Sequence, residues 1–205
     1  MVAPHKQQTI ANSISCIGVG VHTGKEVKLT LEPAPADYGI VFIRTDLESD
    51  RNVIPARYDT VSCTKLCTTI SNEHEVSVST IEHIMAALWA SGIDNVTIKI
   101  DASEVLIMDG SSEPFVLAIE SAGIKLLDKP RRFIEVLEAV RVQQGEAFLE
   151  ITPNESFALE IEIDFPHASA IGSQRCAFAA ESGREFRQQL SRARTFACKA
   201  EVEQL

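Results

Sequence analysis

The chain has 205 residues, 45% of them hydrophobic and 23% charged, with 19 Lys and Arg against 29 Asp and Glu and a formal charge of −10. This length builds one large domain or two small ones, and the composition is that of a folded globular protein rather than a disordered one. The acidic balance argues against a nucleic-acid partner, no apolar run is long enough to span a membrane, and the N-terminus lacks the apolar stretch of a signal peptide, so a cytoplasmic protein is expected.

Five cysteines, Cys16, Cys63, Cys67, Cys176 and Cys198, form an odd and scattered set that reads as reduced thiols. Cys63 and Cys67 have no second pair with which to complete a structural zinc site.

In chain order, the first feature is Gly18-Val-Gly20-Val-His22-Thr-Gly24. It fails the dinucleotide fingerprint, because Thr23 stands where the third glycine belongs, and it lacks the Lys-Ser/Thr of a phosphate-binding loop. It is either a tight turn before a strand or a ligand loop, with His22 a candidate polar contact. Strands are expected at residues 26–33, 39–44, 68–78 and 96–100. Between the last two lies the best-signalled element, a helix over residues 79–92. Ser79-Thr-Ile-Glu82 fits a capping box, Ile81, Ile84, Met85 and Leu88 make an apolar stripe, and Gly92 can close the end in a left-handed conformation. Glu82 and His83 stand in its first turn, where the positive helix end favours a neutral imidazole able to bind metal. A carboxylate beside it can act as general base toward a metal-bound water, or serve only as the cap.

Ile107-Met108-Asp109-Gly110-Ser111-Ser112 reads as a turn whose hydroxyls cap a helix over residues 114–123. Asp128-Lys-Pro-Arg-Arg132 reads as a linker. Beyond it the chain repeats itself. Glu26-Val-Lys-Leu29-Thr-Leu31-Glu-Pro33 and Glu146-Ala-Phe-Leu149-Glu-Ile151-Thr-Pro153 share Glu-x-x-Leu-x-Leu/Ile-x-Pro, each after a glycine and each before another strand-like run, the second over residues 157–165. The offset places the counterpart of the 79–92 helix near residue 199, where the sequence ends in good helix formers. The second copy is therefore expected to be incomplete, whether degenerate or the front of a longer protein. Ser191-Arg-Ala-Arg194-Thr195-Phe196 either holds an anion or is a solvated face. Asn154, Asp164 and His167 offer no spacing that makes a mechanism.

Taken in order, Gly18-Val-Gly-Val-His-Thr-Gly24, Arg44-Thr-Asp46, Leu66-Cys67-Thr68, Ser79-Thr-Ile-Glu-His83, Gly92-Ile-Asp-Asn95, Ile107-Met-Asp-Gly-Ser111, Pro114-Phe115 and Ser191-Arg-Ala-Arg-Thr-Phe196 resemble the UDP-3-O-acyl-N-acetylglucosamine deacetylase family of lipid A biosynthesis. The resemblance implies an α+β fold of two similar sheet-plus-helix domains, a duplicated β-α-α-β sandwich with the second copy incomplete. The first domain would cover residues 1–127 and a partial second domain residues 128–205. It implies a zinc-dependent amidohydrolase that releases acetate from the UDP-sugar, with Zn2+ as cofactor and UDP-3-O-acyl-N-acetylglucosamine as substrate. His83 would be a zinc ligand, Glu82 the general base, Thr195 a hydroxyl beside the oxyanion, and Leu66, Cys67 and Phe196 would line the substrate site. The family's other two zinc ligands come from a His-Lys-x-x-x-Asp segment that this sequence lacks, so the 205 residues alone are expected to be inactive. The competing expectation is a non-catalytic α+β module that keeps only the fold or the sugar-nucleotide surface; a His-Lys-x-x-x-Asp segment following Leu205 in frame would favour the enzyme.

Overall fold

In the computed structural model of the chain, the residues described are 6–48, 50–166, 168, 170–180 and 183–196. His167, Cys198 and the helix expected near residue 199 lie outside them. The described residues form an α+β fold, as the sequence implies, with fourteen strands and three helices.

A five-stranded sheet carries the first half. Its strands are β2 (Ile14–Val19), β3 (Glu26–Pro33), β4 (Ile40–Arg44), β5 (Val53–Pro55) and β9 (Val96–Ile100), in the order β2-β3-β9-β4-β5. Pairing is antiparallel except between β4 and β9, which run parallel. The alternation that predicts β3 and β9 is the burial alternation observed: Val27, Leu29 and Leu31, and Val96, Ile98 and Ile100, face one way and are buried. Against that face lie α1 (Glu82–Ala90), through Ile84, Ala87 and Leu88, and α2 (Glu113–Ala122), through Phe115, Val116 and Ile119. A second sheet pairs β1 (Lys6–Ile10) with β10 (Ile124–Pro130), and a third joins β6 (Val61–Cys63), β7 (Thr69–Ser71) and β8 (Ser77–Val78).

Three boundaries differ from expectation, each for a local reason. The run over residues 68–78 is two strands, because the Asn72 side chain accepts the amides of His74 and Val76 and turns the chain back on itself. Residues 128–130, read as linker, continue β10 against β1. The helix expected over 79–92 begins only at Glu82: its N-cap is Ile81, no side chain caps it, and the capping box does not form. Thr80 lies between, with φ of +58°, and swings Ser79 away from the helix into a bridge with Glu104. The C-terminal signal is realised. Gly92, at φ +69°, donates to the Trp89 carbonyl and Ile93 to that of Leu88, a Schellman closure.

The two copies of the internal repeat occupy like places. Residues 26–33 form the second strand of the β2–β3 hairpin, and residues 147–151 form β12 (Ala147–Ile151), the second strand of a hairpin with β11 (Val140–Gln144). The following hairpin, β13 (Phe157–Phe165) with β14 (Gly172–Ala180), matches the strand expected at 157–165. A short helix that the sequence pattern does not announce, α3 (Gly183–Gln189), packs onto α1.

Candidate functional site

Glu82 and His83 open α1, both half-buried. The Glu82 carboxylate is held from outside its helix: Thr68 N–H donates to Oε2 at 3.1 Å, and Ile81 N–H in turn donates to the Thr68 carbonyl at 3.4 Å. These two bonds fasten the first turn of α1 to the segment carrying Leu66 and Cys67. Leu66 stands at φ +64° and is 70% exposed, and the Cys67 thiol lies 3.8 Å from the Thr69 hydroxyl. Glu82, His83, Leu66 and Cys67 thus belong to one neighbourhood. Oε1 of Glu82 accepts no hydrogen bond among the described residues.

Thr195 and Phe196 are placed by a different element, the turn that leads into α2. Thr195 N–H donates to the Gly110 carbonyl at 2.9 Å. Asp109 accepts the Ser111 hydroxyl at 2.7 Å, the Ser111 amide at 3.0 Å and the Arg194 guanidinium at 3.2 Å. The Ser111 hydroxyl above all, then its amide and Arg194, outweigh burial and hold the Asp109 carboxyl below the ordinary range. Arg192 pairs with Glu113 at 2.6 Å, and the Ser191 carbonyl accepts both the Glu113 amide and the Ser112 hydroxyl. Both arginines of Ser191-Arg-Ala-Arg194 are therefore engaged by carboxylates, so the segment straps the second half of the chain to the start of α2 and is not an open anion site. Phe196 packs edge-on against Phe165, with ring centroids 5.4 Å apart.

The glycine-rich segment resolves into a turn filled from within. Glu104, absent from the sequence-derived site, is fully buried; its Oε1 accepts the His22 amide at 2.9 Å and the Thr80 hydroxyl at 3.2 Å, and its Oε2 the Thr23 amide at 2.8 Å. Burial alone raises a carboxyl's pKa; the His22 and Thr23 donors together with Thr80 outweigh it and hold Glu104 below the ordinary carboxylate range. Gly20 is required by this approach, since a Cβ there would run into Glu104 and the Thr23 hydroxyl. One signal was present in the sequence: a single carboxylate heading the apolar run Val105-Leu106-Ile107.

Among the described residues no three His, Cys, Asp or Glu side chains converge as a metal site, and no helix is long and apolar enough to cross a membrane. Cys16, Cys63, Cys67 and Cys176 are free thiols. His83 stands alone as a candidate metal donor in the first turn of α1; the described residues by themselves do not fit a zinc centre, which takes three protein ligands when catalytic.

Two curated relatives align over 200 residues, covering 98% of this chain: the UDP-3-O-acyl-N-acetylglucosamine deacetylases of Idiomarina loihiensis, 44% identical, and Sodalis glossinidius, 43% identical. The chain spans 65% of the length of each. Residues 7–205 match the family model described as UDP-3-O-acyl N-acetylglycosamine deacetylase, and with that match over almost its whole length the chain belongs to this deacetylase family.

Proposed function

We propose that these residues form part of a zinc-dependent deacetylase that hydrolyses the acetamide of UDP-3-O-acyl-N-acetylglucosamine, releasing acetate at the committed step of lipid A biosynthesis in the cytoplasm. Family membership and the names of the relatives support the reaction; the observation that carries it to named residues is the anchoring of Glu82. With Oε2 fixed by the Thr68 amide and Oε1 open, the carboxylate is oriented to take a proton from water attacking the amide carbonyl. The Thr195 hydroxyl is the candidate donor to the oxyanion that forms, carried on a backbone fixed to Gly110. Leu66, Cys67 and Phe196 are the candidate substrate-lining side chains. Collapse of the tetrahedral species breaks the C–N bond, the 2-amino group leaving with the proton that Glu82 took from the water, and acetate is released.

Zinc supplies Lewis-acid polarisation to such chemistry when bound. His83 would contribute one donor; the described residues supply no others that converge on it, so the 205-residue chain alone is expected to be inactive. Residues 1–127 are taken as the first α+β domain and 128–205 as part of the second; the buried apolar cluster running from Ile10 to Ala122 supports a division in this region, while β10 carries its pairing with β1 on to Pro130.

The test is acetate release from the UDP-sugar, measured with the 205-residue chain and with a full-length family protein carrying these residues. The chain alone is expected to show no rate above background. In the full-length protein Glu82→Gln is expected to lower kcat by about 100-fold or more, and His83→Ala to abolish zinc-dependent turnover. A substantial zinc-dependent rate from the chain alone would refute the missing-ligand reading, and near wild-type rates in both variants would refute the assigned roles.

A further inference from the structure

Glu104 is the one acidic side chain among the described residues that is withdrawn entirely from solvent. Among the described residues no Lys or Arg pairs with it; the amides of His22 and Thr23 and the hydroxyls of Thr80 and Thr23 do. Those donors belong to two separate segments. His22 and Thr23 form the turn between β2 and β3, whereas Thr80 is the left-handed residue between β8 and α1, two positions before Glu82 and three before His83. Backbone bonds complete the junction: Ser79 N–H donates to the Ser103 carbonyl at 2.9 Å, and Val105 N–H to the Ser79 carbonyl at 3.0 Å. A β-branched residue at φ +58° is strained and persists only where its surroundings over-determine it.

We propose that Glu104 is a positioning residue of the candidate active site, pinning the His22–Thr23 turn to Thr80 and so fixing where Glu82 and His83 stand. The proposal rests on the deacetylase reading for what the site does, though not for how the site is held. The chemistry requires a carboxylate of this length. Glutamine would aim an amide N–H at an N–H or O–H donor, leaving buried groups unmatched. Aspartate keeps the charge but falls one methylene short of bridging two segments. The close approach of Gly20 provides the space the carboxylate occupies.

The experiment uses the metal-free 205-residue chain, isotopically labelled, with amide exchange and the Glu82 and His83 resonances read by NMR well below the unfolding midpoint. In Glu104→Gln, exchange at His22 and Thr23 is expected to accelerate at least 10-fold and the Glu82 and His83 signals to move, while amides of Leu29 and Ile98 in the sheet keep their protection. Glu104→Asp is expected to restore part of the protection. A Glu104→Gln protein that merely melts earlier, with Glu82 and His83 signals unchanged in its folded state, would reduce Glu104 to a space-filling role and overturn the proposal. If that variant does not fold, Thr80→Ala decides. It removes only the tie to α1, so the Glu82 and His83 signals should shift while Thr23 stays protected; unshifted signals there overturn the proposal equally. Failure of the deacetylase reading appears in the acetate-release assay, which these spectra do not use, so the two ideas fail separately.

Discussion

Arg44 forks its guanidinium onto Asp46, with Nε to Oδ1 at 2.8 Å and an Nη to Oδ2 at 2.7 Å, and spends its remaining nitrogen on the Ser77 carbonyl at 2.8 Å. With its side chain 10% exposed, it ties the end of β4 to β8, the strand that feeds α1. Asp94 and Asn95 make a comparable latch. Asp94 accepts the Gln8 amide and the Arg131 guanidinium, and Asn95 accepts the Gly39 amide while donating to Gln7. Arg44-Thr-Asp46 and Gly92-Ile-Asp-Asn95 therefore mark the family by what they hold together, whereas Glu82 and His83 are proposed to mark it by what they present. A sequence shows both kinds of motif as polar residues at fixed places; only partners and burial separate them. Arg44→Ala is expected to destabilise the chain by about 2 kcal/mol in denaturant titration, the scale of hydrogen bonds to a charged group in a largely desolvated setting. The hydrogen bond and charge of Arg44 hold the Asp46 carboxyl below its ordinary value despite partial burial. The stabilisation from this pair is accordingly complete above the unfolded carboxylate pKa and lost as pH falls through the lower folded one. A pH–stability profile of Arg44→Ala that stays parallel to the wild type down to strongly acidic pH would contradict that linkage.

At the scale of elements, the junction between the two halves is aromatic. Trp89, near the end of α1, lies 4.7 Å from Phe157 of β13 and 6.0 Å from Phe186 of α3, which in turn meets Phe178 of β14 at 6.3 Å. An Arg187–Glu120 ion pair joins α3 to α2 beside it. Trp89 is 47% exposed, so its truncation forfeits ring contacts more than buried area. Aromatic pairs contribute about 0.5–1.5 kcal/mol each beyond burial. Since Trp89 is the chain's only tryptophan, its fluorescence reports this junction directly. Phe186→Ala is expected to weaken the docking of α3 by about 1–2 kcal/mol and to shift Trp89 emission to the red; emission that stays put would show that α3 is held by its ion pairs instead. The elements that the sequence made legible are those whose signal is local: alternation in β3, β9 and β13, and the glycine that closes α1. The start of α1 was not legible, because Ser79 and Glu82 have the right spacing for a cap yet are drawn off by Ser103 and Thr68, partners distant in sequence. The same holds for the site. Glu82, His83 and Cys67 could be named from motifs, but Glu104 is visible only once residues 22, 80 and 104 meet.

For the whole molecule, the distribution of burial sets the order of stability. Every residue of the main apolar cluster lies between Ile10 and Ala122, on the two helices, the five-stranded sheet and the segments that cover them. In the second half, Phe178 and Phe186 are the buried apolar side chains among the described residues, while Val142, Phe148, Leu149 and Ile161 are each more than half exposed. The β11–β12 hairpin is exposed at every position along both strands. A two-stranded ribbon without a packed face is marginal in water, and local opening free energy follows the buried contacts a segment makes. Hydrogen–deuterium exchange read by mass spectrometry should therefore divide the chain. Peptides from β3, β9 and α1 should exchange only through opening of the whole apolar cluster. Those from β11 and β12 should exchange at least about 100-fold faster, with the β13–β14 hairpin, steadied by Trp89 and α3, between them. The exposed apolar strands should also bind an anionic fluorescent dye such as ANS, and the chain should associate as its concentration rises. Disrupting the cluster with Ile98→Ala should accelerate exchange in β3 and α1 while leaving β11–β12 unchanged, because that hairpin never shared the cluster's stability. Uniform protection across both halves, or acceleration of β11–β12 together with β3, would show a single cooperative unit and refute the graded picture.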